Sequence, residues 1–136
     1  MKVVTAAVLI KAGKCLIAKR PNNDSLAGLW ELPGGKIELG ESPETCLKRE
    51  IMEELCIEVD VGQFFGGSIY HYDRGTINLQ AYITTWVTGE LKLLFHDELA
   101  WVDNTTIDDY IYAPADIPII EKVRLHLCMT MDILKP

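Results

Sequence analysis

Three glutamates on one predicted helical turn are the residues of this chain whose spacing is best suited to chemistry. Glu50, Glu53 and Glu54 are three and four residues apart, so in a helix they share one face. Like charges at this spacing repel each other, and Arg49 offsets only part of that repulsion. A hard divalent cation would offset far more, because Mg2+ takes oxygen ligands from a few carboxylates together with substrate phosphates. The spacing therefore suggests a magnesium site, with a solvated acidic helix face as the alternative.

The residues before this helix favour the metal site. Ser42 and Pro43 are typical of a helix start, as N-cap and first helical residue. Gly34 and Gly35 precede that start and permit a close approach of the backbone. Glu41 adds a carboxylate just outside the helix. It either serves the site or interacts with the positive end of the helix dipole.

Together these residues form a pattern that resembles the Nudix box, G-x5-E-x7-R-E-U-x-E-E-x-G-U, in which U is a bulky apolar residue. The chain matches the pattern in register at Gly35, Glu41, Arg49, Glu50, Ile51, Glu53, Glu54 and Ile57. The second glycine of the pattern is replaced by Cys56, which would end the helix. Glycine is favoured there because it tolerates the left-handed conformation. We therefore expect the cysteine either to adopt that conformation under strain or to turn differently.

The resemblance extends over nearly the whole chain. Residues 27–36, AGLWELPGGK, are similar to the lead-in of MutT-like members, and residues 113–118, APADIP, to the bacterial CTP pyrophosphohydrolase branch of that group. The resemblance implies an α/β fold over residues 1–136 as a single domain: an α/β/α sandwich with a curved mixed β-sheet.

The implied activity is Mg2+-dependent hydrolysis of a nucleoside triphosphate to its monophosphate and pyrophosphate, with Mn2+ as an alternative cofactor. The resemblance favours (deoxy)cytidine or modified pyrimidine nucleotides as substrates. An enzyme that removes 8-oxo-dGTP is the alternative within the same chemistry. A nucleotide-binding module without catalysis is the alternative of a different class, but such modules tend to lose the box carboxylates that this chain keeps.

The resemblance also implies roles for individual residues. The predicted metal ligands are Glu50, Glu53, Glu54 and the backbone carbonyl of Gly34. Glu50 matches the residue most often assigned as general base in MutT-like members. The other predicted catalytic residues are Glu41 and Arg49. We expect Arg49 to orient the carboxylates through charge-assisted hydrogen bonds, or simply to pair with Glu53 one turn along the helix.

Three further residues are predicted to contact the nucleotide. Arg20 and Lys36 are the candidates for phosphate, and a guanidinium suits phosphate through its bidentate geometry. Asp116 is the candidate for base recognition, because an ionised carboxylate only accepts hydrogen bonds and suits the exocyclic amine of cytosine. The same carboxylate could also accept from N1–H and the N2 amine of guanine, or could cap the last helix instead.

One family feature is missing. MutT-like enzymes carry a glutamate before a tryptophan-bearing strand, and alignment on Trp101 places Phe95 at that position. Asp97 or Glu98 could supply the carboxylate from a shifted loop, or both could be ordinary loop acids.

Composition limits the remaining possibilities. The net charge of −7 argues against a nucleic-acid polymer as partner, because binding a phosphate backbone requires a basic surface. The apolar segment at residues 1–10 is too short to cross a membrane or to form a cleavable signal peptide. The four cysteines show no paired metal-ligand spacing, so we expect buried free thiols in a reducing cytoplasm. The predicted protein is thus a cytoplasmic enzyme of a small nucleotide, without a membrane partner, as a monomer or homodimer.

Hydrophobic periodicity predicts the elements that position these residues. Leu47, Ile51 and Leu55 form the inward stripe of the acidic helix. A last helix is predicted over 117–134, with Ile120, Val123, Leu127, Met131 and Leu134 facing inward. A short helix is expected from Asp103 or Asn104 to Tyr110. The predicted strands are 3–9, 14–20, 57–61, 77–84, 99–102 and, paired across Gly89, 91–94.

Overall fold

The apolar N-terminal segment forms the central strand of an open, curved, seven-stranded mixed sheet. The computed structural model describes the backbone of residues 1–134 and the side chains of residues 1–130. The strands within that range are β1 (Lys2–Lys11), β2 (Lys14–Lys19), β3 (Trp30–Glu31), β4 (Gly34–Lys36), β5 (Ile57–Tyr72), β6 (Gly75–Gly89) and β7 (Glu98–Val102). The helices are α1 (Pro43–Leu55), α2 (Ile117–Leu134) and two 3-10 turns, Ile107–Asp109 and Pro114–Asp116.

Strand β1 has different partners along its two edges. One edge pairs in parallel with β6, from Lys2 opposite Ile77 to Leu9 opposite Thr84. The other edge is shared: Val4–Ala6 pair with β4, and Ile10–Lys11 pair with β2. Strands β3 and β7 extend the sheet beyond β2, and β5 forms the opposite edge beside β6. This split places the glycine pair of β4 against the middle of the sheet, next to α1.

Each face of the sheet is covered by one helix, which gives the expected α/β/α sandwich. Alternate residues of β1 enter the two cores: Ala6 and Val8 face α2, whereas Ala7 and Leu9 face α1. All four are fully buried. A strand that is buried on both sides reads as a continuous apolar run, which is the pattern seen in the sequence.

Helix α1 begins at the predicted residues and ends at a residue with a strained backbone conformation. Ser42 is the N-cap and its hydroxyl accepts from the Thr45 N–H at 3.2 Å, with Pro43 as the first helical residue. The predicted apolar stripe of α1 is buried. Cys56 ends the helix in the left-handed conformation, at φ 62° and ψ 28°, and its N–H donates to the Met52 carbonyl. Of the two predicted outcomes for the missing glycine, the strained one is observed.

Two of the predicted elements differ in the structure. Residues 91–94 are not a strand: the N–H groups of Lys92 and Leu94 donate to the carbonyls of Leu55 and Glu54, at 3.0 and 3.2 Å. The last carbonyls of a helix have no partners within it, and this segment supplies them. The short helix predicted to end at Tyr110 is reduced to the 3-10 turn Ile107–Asp109.

The other elements are found where they were predicted, some with longer bounds. The strand predictions at 57–61 and 77–84 belong to a long hairpin, β5–β6. Helix α2 spans the predicted residues, and Ile120, Val123 and Leu127 are buried. The predicted inward positions of Met131 and Leu134 lie outside the side chains that the structure describes.

The structure bears on two expectations from the sequence, one on the burial of the cysteines and one on membrane-crossing segments. The four cysteines are free thiols in the described structure, but only Cys15 and Cys46 are buried, because Cys56 is partly exposed and Cys128 is exposed. Among the described residues, neither helix combines the length and apolar character that a membrane-crossing segment needs.

We predict that Cys56→Gly stabilises the protein. A residue with a β-carbon is disfavoured in the left-handed conformation, whereas glycine is not, so we expect a gain of about 0.5–1 kcal/mol in unfolding free energy. Urea unfolding measures the change. Cys56→Ala keeps the β-carbon and removes the thiol, so it is the matched control and should show no such gain. Equal stabilisation by both variants would show that the thiol, and not the backbone, limits stability.

Candidate active site

A cleft of about 960 Å3 opens beside the sheet, between α1, the β3–β4 segment and the tip of the β5–β6 hairpin. Its walls include almost all of the residues singled out from the sequence. The predicted residues that line it are Arg20, Gly34, Gly35, Lys36, Glu50, Glu53, Glu54 and Asp116. Glu41 and Arg49 lie outside the lining but contact it through hydrogen bonds.

The glycine pair is required by its neighbours on both sides. A β-carbon on Gly34 would overlap the carbonyl oxygen of Thr5 on β1, and one on Gly35 would overlap the carboxylate of Glu50 on α1. The Gly35 carbonyl also accepts from the Thr5 hydroxyl at 3.1 Å. Backbone and carboxylate therefore approach each other more closely than any residue with a side chain would allow.

Arg49 holds three of the box carboxylates together. Its Nε and Nη2 donate to the two carboxylate oxygens of Glu41 at 2.7 and 2.9 Å, a bidentate pair. Its Nη1 donates to Glu50 at 2.8 Å and to Glu53 at 3.2 Å. The hydrogen bond from Arg49 lowers the pKa of Glu41 to about 2, so this carboxylate is ionised at neutral pH. Both contacts considered for Arg49, orientation of several carboxylates and pairing with Glu53, are present.

Glu54 is the carboxylate that lacks a counter-charge. It is 9% exposed, and its Oε1 has no hydrogen-bond partner among the described residues. Burial, followed by the nearby charges of Glu31 and Glu50, raises the pKa of Glu54 to about 8. Burial also raises the pKa of Glu50. Leaving a buried carboxylate without a partner is unfavourable unless a cation or a proton compensates it.

These residues fit a hard divalent cation, although they do not form a complete ion site on their own. Within residues 1–130, no three acidic, histidine or cysteine side chains converge with metal-ligand spacing. Two of the predicted ligands, Glu50 and Glu53, are instead bonded to Arg49. The unpartnered oxygen of Glu54 and the side-chain-free space at Gly35 are consistent with an ion held by oxygen atoms, which suits Mg2+ or Mn2+.

Arg20 is less available to phosphate than the sequence suggested. Its Nε and Nη2 donate to Asp24 at 2.8 and 2.5 Å, and its Nη1 donates to Glu31 at 2.8 Å. The guanidinium lines the cleft with its charge already shared between two carboxylates. Lys36 is exposed at the cleft and forms no ion pair within the described side chains.

Glu31 is a cleft residue that the sequence analysis did not single out, and His96 contacts it from outside the cleft lining. Glu31 lines the cleft and contacts both Arg20 and His96, whose Nε2 lies 2.9 Å from its carboxylate. The His96 side chain is fully buried, and its Nδ1 has no partner among the described residues. No local pattern links these two residues, because they are 65 positions apart. The sequence signal was limited to the position of Glu31 beside the glycine pair.

Asp116 is held in the cleft wall by a long-range hydrogen bond. Its Oδ2 accepts from the Leu32 N–H at 3.0 Å, and the side chain is 5% exposed. Burial, then the nearby Glu31, raises the pKa of Asp116 well above its usual range. Asp116 ends the 3-10 turn that precedes α2, and within the described residues its carboxylate bonds to no amide of that helix. The alternative role as helix cap is therefore wrong.

The position of the missing family glutamate is occupied by an apolar side chain. Phe95 lines the cleft with Leu94, but neither Asp97 nor Glu98 does. Glu98 instead lies 3.8 Å from Lys19 on the neighbouring strand. Neither acid supplies a carboxylate to the cleft in this conformation. Trp30 does not line the cleft and packs in the core against Tyr110.

Comparison with known proteins agrees with this architecture. A family model described as the NUDIX domain matches residues 5–122. The chain is 39% identical over 118 residues to a protein of Escherichia coli strain K12 named CTP pyrophosphohydrolase, covering 87% of each chain. It is 37% identical over 118 residues to a Mycobacterium tuberculosis protein named putative 8-oxo-dGTP diphosphatase 2, covering 85% of this chain and 82% of that one.

Solved structures also superpose on this chain over nearly its whole length. The solution structure of the E. coli ORF135 protein superposes with a TM-score of 0.78 at 35% identity, covering all of this chain and 94% of the other. A Staphylococcus aureus structure titled as MutT of the Nudix hydrolase family superposes with a TM-score of 0.73 at 34% identity, covering 92% and 98%.

We predict that Gly35→Ala weakens Mg2+ binding roughly tenfold or more while the fold is retained. The new methyl group would displace the Glu50 carboxylate, whose side chain can move without unfolding the helix. Isothermal titration calorimetry with MgCl2 measures the affinity, and circular dichroism measures the fold. Gly67→Ala on β5 is the control, because its β-carbon would meet only ordinary contacts at 3.6 Å. Unchanged Mg2+ affinity in Gly35→Ala would contradict the proposed ion position.

Proposed function

Because the chain belongs to the Nudix hydrolase family, we propose that it hydrolyses a nucleoside triphosphate to the monophosphate and pyrophosphate with Mg2+ as cofactor. The family assignment makes it a hydrolase that acts on acid anhydrides of nucleotides. The observation that supports catalysis by this chain is its complete set of box carboxylates around the glycine pair, with one buried oxygen left without a partner among residues 1–130.

In the proposed mechanism, the ion would be held by Glu50, Glu53, Glu54 and the carbonyl of Gly34. When bound, Mg2+ neutralises charge on phosphate oxygens and makes water a better nucleophile near neutral pH. Arg49 binds Oε1 of Glu50, which leaves Oε2 of Glu50 to accept the proton of the attacking water. Hydrolysis breaks the anhydride link between the α and β phosphates, so pyrophosphate leaves and a nucleoside monophosphate remains.

The other site residues support this step. Glu41 keeps Arg49 in place through the bidentate pair, so the Glu50 carboxylate stays aligned with the cleft. We propose that Lys36, which is exposed at the cleft, contacts the triphosphate. Arg20 remains a candidate phosphate ligand, but it would have to exchange a carboxylate partner for the substrate.

We propose cytidine triphosphates, or modified pyrimidine nucleotides, as substrates. The similarity to the E. coli protein named CTP pyrophosphohydrolase and the placement of Asp116 in the cleft wall support this choice. An 8-oxo-dGTP sanitising activity is the second candidate, favoured by the similarity to the M. tuberculosis protein. The absence of a nucleic-acid polymer partner, the cytoplasmic location and the monomer or homodimer state stay predictions.

We predict that Glu50→Gln and Glu53→Gln each lower kcat by about 100-fold or more, because each removes a charged ligand oxygen and Glu50 also loses its basicity. Pyrophosphate release from a panel of nucleoside triphosphates, with Mg2+ and with EDTA, measures turnover. The panel includes CTP, dCTP and 8-oxo-dGTP, so it also separates the two substrate classes. Glu44→Gln, an exposed acid of α1 that does not line the cleft, is the control. Wild-type turnover by folded Glu53→Gln would refute the metal assignment.

We predict that Asp116→Asn lowers the ratio of kcat/KM for CTP to that for dGTP by roughly tenfold. Asparagine always presents a donor as well as an acceptor and can therefore bind a guanine carbonyl oxygen, whereas Asp116, once it is ionised against the exocyclic amine of cytosine, only accepts. Steady-state kinetics with both nucleotides gives the ratio, and Asp108→Asn, an exposed acid outside the cleft, is the comparison. An unchanged ratio in Asp116→Asn would remove this residue from the account of specificity.

A further inference from the structure

A second concave site lies at the turn between β1 and β2. Its volume is about 380 Å3. We call it the hairpin site, and the residues that line it are Lys11, Ala12, Lys14, Trp86 and Trp101. None of these residues lines the cleft. Along β1, Lys11 is five residues beyond Ala6, the partner of Gly34, a separation of roughly 17 Å at the rise of an extended strand. The hairpin site is therefore physically separate from the candidate active site.

Two tryptophan rings form the aromatic wall of the hairpin site. The ring centroids of Trp86 and Trp101 are 6.4 Å apart, and their planes are within 7° of parallel. Both rings pack against the core beneath α1 while remaining partly exposed. The indole N–H of Trp86 is anchored by donation to the Gly89 carbonyl at 3.1 Å. Fixed, parallel and partly open aromatic rings are suited to stacking against a planar ring of a ligand.

Two lysines supply positive charge beside these rings. Lys11 and Lys14 are direct partners across the hairpin, so their side chains leave the same face of the sheet. Like charges in this arrangement repel each other, and neither lysine forms an ion pair within the described side chains. The Lys11 ammonium lies 4.3 Å from the centroid of Trp86. An anion between the two ammonium groups would relieve the repulsion.

The turn that holds the two lysines together is itself unusual. Ala12 and Gly13 both have positive φ, at 52° and 76°. Such two-residue turns match the twist of a hairpin but normally use asparagine, aspartate or glycine at the first position. The alanine keeps Lys11 and Lys14 adjacent and lines the hairpin site with only a methyl group.

We propose that the hairpin site binds a purine nucleoside monophosphate without hydrolysing it. The base would displace the Lys11 ammonium from the face of Trp86 and stack there, and the phosphate would lie between the two lysines. The ligand must combine a planar aromatic ring with negative charge, and a purine offers more stacking area than a pyrimidine. The volume lies in the range of small-ligand pockets, which favours a mononucleotide over a polymer. No carboxylate of the described residues lines the hairpin site, so binding there needs no divalent cation.

The test is a titration of the 15N-labelled chain with adenosine 5′-monophosphate in EDTA, followed by two-dimensional NMR. We expect the indole N–H signals of Trp86 and Trp101 to shift and saturate at millimolar ligand or below. The indole signal of Trp30, which is buried in the other core, should stay in place. The amide signals of Gly34 and Gly35 report any binding in the cleft, so the two sites are distinguished in one experiment.

Three variants and two further ligands complete the test. We expect Lys11→Gln and Lys14→Gln each to weaken binding about fivefold, whereas Lys48→Gln, an exposed lysine of α1, should change it less than about twofold. Equal affinity in all three variants would overturn the proposal, as would indole signals that do not move up to about 10 mM ligand.

Equal shifts with ribose 5-phosphate would show an anion site without stacking. Tighter binding of a short single-stranded DNA would show that the ligand is a nucleic-acid polymer and not a mononucleotide. Either result would overturn the proposal.

Discussion

The geometry of the whole site depends on one steric constraint: the backbone of the glycine pair touches a neighbour on each side, which leaves no room for a β-carbon. Gly34 lies against the Thr5 carbonyl on β1, and Gly35 lies against the Glu50 carboxylate on α1. This contact fixes the distance between helix and sheet, and so decides where the acidic face of α1 points. The apolar face of the same helix is buried against β1 and β5, and Glu54 is buried beside it, so packing and chemistry are set by adjacent faces of one element.

Electrostatics then divides the acidic face into two environments. Arg49 satisfies Glu41, Glu50 and Glu53 through direct hydrogen bonds, whereas one oxygen of the buried Glu54 has no partner in the part of the chain that the structure describes. The arginine lowers the pKa of Glu41, and burial raises that of Glu54. Two carboxylates of the same box are thus prepared for different tasks, since Glu41 stays ionised to hold the arginine and Glu54 gains most from a cation.

The sequence predicted those parts of the fold and site that depend on local spacing. The Ser42 cap, the buried stripe of α1 and the α2 stripe from Ile120 to Leu127 follow from helical periodicity, and the box residues gather because a helix gathers them. Long-range contacts were not predictable in this way. His96 reaches Glu31, and Asp116 bonds to Leu32 rather than capping its own helix. Residues 91–94 look like a strand, but the carbonyls at the end of α1 bind them instead.

The parallel pairing of β1 with β6 has a consequence for how the chain folds. Ile77 is the partner of Lys2, so 75 positions separate two residues that become neighbours. By contrast, β4 joins the other edge of β1 after about 30 positions. Closing the longer loop carries the larger entropic cost, so the central strand acquires its two edges at different stages. Synthesis from the N-terminus supplies the glycine segment before β6, so the two hydrophobic layers can be completed only after β6 has been made.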